Sequence, residues 1–60
     1  MKIKVNVEIE DTVNSLSDYN TIGLTKNTLE AMWAETIENF LLYNDDGGIL
    51  KYTISAEAMD

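Results

Sequence analysis

The sequence predicts an α+β fold in which one amphipathic helix covers one face of a small antiparallel sheet. Three observations carry that expectation. Apolar and polar residues alternate over 2–10 and again over 49–57, and between them apolar residues recur at helical spacing over 26–43. The chain is 60 residues long, which makes residues 1–60 a single small domain.

The first expected strand, 2–10, sets Ile3, Val5, Val7 and Ile9 on one face and Lys2, Lys4, Asn6, Glu8 and Glu10 on the other. Residues 11–24 are dense in Asp, Asn, Ser and Thr, which favours loops and turns. Val13, Leu16 and Tyr19 stand three apart there. A single helical or 3₁₀ turn would set them against a core, and a short strand over 19–24 is the competing reading.

The helix over 26–43 has Thr25 as its candidate N-cap, with Asn27 and Glu30 as a competing capping box. Leu29, Met32, Trp33, Ile37, Phe40 and Leu41 form its apolar stripe, with Trp33 at the centre. Asp45 and Asp46 are unfavourable at the negative end of a helix dipole, and Gly47-Gly48 can adopt positive φ, so the helix should end at Tyr43 or Asn44. The second expected strand, 49–57, turns Leu50, Tyr52, Ile54 and Ala56 inward and Lys51, Thr53, Ser55 and Glu57 outward, and Ala58 to Asp60 reads as a frayed tail. Antiparallel pairing of the two strands would bring Lys51 near Glu8 or Glu10 and Glu57 near Lys2 or Lys4. Parallel pairing would oppose like charges.

Composition narrows function chiefly by what it withholds. Eleven carboxylates stand against four lysines, the net charge is −7, and His, Cys and Arg are absent. The usual general base, the thiol nucleophile, the soft metal ligands and the bidentate phosphate clamp are therefore all missing. Ser15, Ser17 and Ser55 have no histidine to activate them, and a chain this short offers little room to bury a carboxylate and raise its pKa. The expectation is no enzyme, no cofactor and no metal. The segment Asn44-Asp45-Asp46-Gly47-Gly48 fails the calcium-loop spacing in either glycine register, because Leu42 or Tyr43 would fall at the first ligand position. It reads as a helix exit.

The acidic field repels phosphate, which argues against nucleic acid and anionic membranes as direct partners and in favour of basic protein surfaces. No long apolar run suggests a leader or a membrane span, and the chain reads as cytoplasmic. So small a core, with neither disulfide nor evident metal to support it, leads one to expect a homodimer.

The candidate partner-binding residues are Glu35, Glu38 and Leu42 on the outer helix face, with Asp45 and Asp46 extending the negative strip beyond its end. Small size, strong acidity, the lack of Arg and frequent Asn, Ile and Thr make the chain resemble small phage or mobile-element proteins that inhibit host machinery, the anti-CRISPR and nucleic-acid-mimic inhibitors among them. The resemblance is one of composition and transfers no residue. It implies an inhibitor of nucleic-acid machinery. The alternative is a small self-assembling structural or accessory subunit whose acidity serves solubility.

Overall fold

A computed structural model describes residues 1–60. It contains two helices, α1 (Leu16–Thr21) and α2 (Lys26–Asn44), and no β-strand. The expected α+β fold with its antiparallel sheet is therefore corrected to a helical one. A sheet requires a ladder between strands. None of the 25 backbone–backbone hydrogen bonds involves a residue of 1–14 or of 49–60.

Each helix begins where local chemistry supplies a cap. Ser15 Oγ accepts from the Asp18 amide at 3.2 Å, and the Ser15 amide donates to Asp18 Oδ2 at 2.8 Å, a reciprocal capping box that fixes the first turn of α1. Of the two readings of 11–24, the helical turn is adopted for Leu16 and Tyr19, which are half-buried, but Val13 lies outside it and is 83% exposed. Thr25 caps α2, its hydroxyl accepting from the Thr28 amide at 3.2 Å, and the competing Asn27–Glu30 box is not used. Glu30 is engaged elsewhere. Asp45 is the C-cap of α2, and Gly47 and Gly48 follow with φ of 87° and 66°, a left-handed exit that other residues adopt only at a cost.

The two-residue period of 49–57 is real, but its partner is α2 and not a strand. Tyr52, Ile54 and Ala56 are half-buried, and Ala58 with them, while Lys51, Thr53, Ser55 and Glu57 are exposed; Leu50, expected to face inward, is 50% exposed. The segment runs back antiparallel to the helix. Tyr52 lies within the electrostatic reach of Glu38 and Asp45. Further along, the Ala58 amide donates to Glu30 Oε2 at 2.9 Å, and Asp60 Oδ1 accepts from the Leu16 amide at 2.8 Å. Residues 58–60 are thus tied to both helices, which corrects the expectation of a frayed tail.

The packed face of α2 is rotated away from the expected stripe. Leu29 is the single buried residue, at 8% exposure, and Glu30, Ala34, Ile37 and Leu41 are half-buried beside it. Trp33 is 46% exposed and Phe40 65%, so Trp33 is not the centre of a core. The reason is the C-terminal segment, which packs on the side of α2 that carries Glu30 and Ala34 and leaves the bulkier apolar side chains uncovered.

Surface and shape agree on how little one copy encloses. A folded monomer of 6.8 kDa exposes about 4,000 Å² on the usual scaling, whereas this chain exposes 5716 Å². Its radius of gyration is 13.9 Å, against about 10 Å for a compact chain of this length. An open cleft of about 2690 Å³ lies between residues 1–14, α2 and the C-terminal segment. Ligand pockets usually measure about 300–1,000 Å³, so this space is an unclosed core and not a pocket.

Candidate functional site

The eleven carboxylates divide into two groups once their partners are known. Five of them accept backbone amide hydrogens. Asp11 Oδ1 takes the amides of Val13 and Asn14, both at 2.9 Å. Asp18 and Glu30 take those of Ser15 and Ala58, Asp45 those of Ile49 (3.0 Å) and Leu50 (3.2 and 3.3 Å to its two oxygens), and Asp60 that of Leu16. These are structural carboxylates that order loops and helix ends. Glu8, Glu10, Glu35, Glu38, Asp46 and Glu57 have exposed side chains and are not among these acceptors.

The expected binding strip is accordingly resolved residue by residue. Glu35, Glu38 and Leu42 are all exposed, and with Ala31 they share one side of α2, as spacings of four, three and four require. Asp46 is exposed just past the helix end. Asp45 is half-buried, and its two oxygens hold the turn into the C-terminal segment, so its first task is structural. The sequence signal for that role was its position at a helix exit two residues before Gly47, where an Asp side chain reaches the following amides.

The electrostatics at this end of α2 run against helix stability. The last turn contains no basic residue, and Asp45 and Asp46 stand at the end where cations are favoured. The field of Asp45, and of Glu38 earlier on the helix, is felt by Tyr52. Its hydroxyl is pushed above the usual tyrosine range first by desolvation against the helix and then by the charges of Glu38 and Asp45.

One further cluster was not foreseen. The Tyr19 hydroxyl donates to Asp11 Oδ2, and Asn14 Nδ2 donates to the same oxygen at 3.3 Å. The hydrogen bond from Tyr19, followed by the amides of Asn14 and Val13, holds the Asp11 carboxyl well below the usual range, and the same contact raises Tyr19. It is a clasp between the loop and α1. The loop-like composition of 11–15 marked a turn but not the tyrosine eight residues on.

No three acidic side chains converge in a geometry that would hold a metal ion, and no helix is long and apolar enough to cross a membrane. No protein-family model, curated protein or solved structure matches the chain.

Proposed function

We propose that this chain is a non-enzymatic binding protein whose strip of Glu35, Glu38, Leu42 and Asp46 engages a basic protein surface, of the kind nucleic-acid-binding proteins present, and so blocks it. The observation that carries the reading is the uncompensated acid at the C-terminal end of α2. Asp46 stands beside the negative end of the helix dipole and disfavours the helix there, and neither it nor Glu38 on the exposed helix face accepts one of the amide bonds that explain Asp45. Residues that oppose local stability without a local return mark a surface kept for something else. Leu42 supplies an exposed apolar contact within the strip. Asp45 contributes charge to the strip but not a free side chain.

The test is charge reversal. Glu35→Lys with Glu38→Lys leaves folding intact, because both side chains are exposed and exposed changes cost little. A partner recovered from the native host by pull-down is then titrated with both forms at two salt concentrations. The native chain is expected to lose affinity steeply as salt rises, and the double variant to bind weakly even at low salt, mainly through a slower on-rate. Equal affinity of the two forms at low salt removes this face from the interface.

A second reading, a self-assembling accessory subunit, is favoured by a different observation: one buried residue in the whole chain. Assembly through apolar surface would be insensitive to salt, which separates the two.

A further inference from the structure

Residues 2–10 are the least satisfied part of the molecule. Ile3, Val5, Val7 and Ile9 are between 58% and 75% exposed, and the backbone of this segment makes no hydrogen bond to any other backbone group. An alternating segment with free N–H and C=O groups is a template for pairing with another chain. The sequence specifies which chain. Read from both ends toward Asn6, the outward residues are Lys2 and Lys4 on one side and Glu10 and Glu8 on the other, while the intervening positions are Ile3, Val5, Val7 and Ile9.

We infer that residues 2–10 are a self-recognition strand, and that two copies of this chain pair antiparallel about a two-fold axis through Asn6. In that register Lys2 faces Glu10 and Lys4 faces Glu8, each twice, so four opposite-charge pairs form on one face. Ile3 faces Ile9 and Val5 faces Val7 on the other face, a continuous row of β-branched side chains. Sliding the copies by two residues in either direction leaves two of the four charge pairs, and a parallel in-register arrangement opposes lysine to lysine and glutamate to glutamate. A slip by one residue would set apolar against polar positions. The self-complementary charge order therefore selects one arrangement, and that arrangement is the isologous two-fold contact commonest among oligomers.

This ladder lies between copies. Each chain contributes one strand, and the helical fold of the single copy is unchanged. Two strands alone are marginal and need a packed face. That face is at hand: Trp33 and Phe40 of α2 line the same open cleft as Ile3, Val5, Val7 and Ile9, and they too are uncovered. There is also surface enough. One copy exposes roughly 1,700 Å² more than a compact monomer of its mass, about twice the 800 Å² or so that a standard interface takes from each partner. The proposal is independent of the acidic strip on α2, none of whose residues it uses.

Sedimentation equilibrium of the full chain and of three variants tests it. The native chain is expected to be a dimer at micromolar concentration. Lys2→Glu with Lys4→Glu, and Glu8→Lys with Glu10→Lys, should each be monomeric alone and should form a heterodimer when mixed in equal amounts. The second of these carries a net charge of −3 in place of −7, so its failure to dimerise would not be a matter of general repulsion. All four substitutions in one chain invert every pair, keep the net charge, and should restore the homodimer. Circular dichroism of each variant reports whether α1 and α2 persist, since no substituted residue lies in either helix. In the native dimer, alternate amides of 2–10 should be protected from exchange. A monomeric native chain overturns the proposal. So does a native dimer that survives either pair of reversals, or one that the fourfold inversion fails to restore.

Discussion

Asp11 and Tyr19 share a hydrogen bond that shifts both of their protons, which makes the contact measurable. Asp11 is held in its charged form by the Tyr19 hydroxyl and by the amides of Asn14 and Val13, and Tyr19 is held in its neutral form by the same carboxylate. The signs follow from linkage. Asp11 has a lowered folded pKa, so its contribution is complete above the unfolded value of about 3.9 and fades as pH falls toward the folded one. Tyr19 has a raised folded pKa, so its contribution is complete below about 10 and is lost as pH rises through the folded value. The clasp thus holds across the neutral range and opens at both extremes. Asp11→Asn should bring the Tyr19 titration, followed by ultraviolet absorbance of the phenolate, down toward the ordinary value. An unmoved midpoint would show that some other group raises it.

Among the elements, the C-terminal segment is the one whose alternation was legible in part and whose state was not: the expected strand is absent, and Leu50, expected to face inward, is 50% exposed. Alternation identifies an extended chain with one covered face, and Tyr52, Ile54, Ala56 and Ala58 are that face. It does not say whether a strand or a helix does the covering. What decides it is Glu30, a residue the sequence offered as half of a capping box, whose carboxylate instead takes the Ala58 amide from 28 positions away. The helix itself was legible almost to the residue, because Thr25, Gly47 and Gly48 carry end signals that act within one turn. The rotation of its packed face was not, since Trp33 and Phe40 are as apolar as Leu29 and periodicity ranks them alike. The exposed strip of Glu35, Glu38 and Leu42 was legible for the converse reason: helical spacing alone puts them together. If Glu30 fastens the segment, Glu30→Ala should speed exchange of the Ala58 amide by about tenfold, the loss of one charge-assisted hydrogen bond, while amides in the middle of α2 keep their protection. Equal acceleration along α2 would mean that Glu30 supports the helix and not the segment.

For the molecule as a whole, the deciding quantity is how little apolar surface one copy removes from water. Unfolded, a chain of this mass exposes about 9,900 Å². The 5716 Å² that remains exposed in one copy means that well under half is buried, where about 60% is usual for a domain of this size. The entropy of ordering 60 residues is offset by burial in proportion to area, so a single copy is left close to the threshold of folding. A net charge of −7 adds self-repulsion to that deficit. If the proposed pairing of two copies supplies the missing burial, stability obeys mass action. The melting temperature of the native chain should therefore rise with protein concentration, by about 5 °C for each tenfold increase if unfolding and dissociation are coupled in a domain of this length. Differential scanning calorimetry over three decades of concentration measures it. The Glu8→Lys/Glu10→Lys variant should melt at a lower temperature that does not depend on concentration, because its unfolding no longer includes dissociation. A native chain that melts at one high temperature throughout the range would show that the surface left open in a single copy is not what limits its stability.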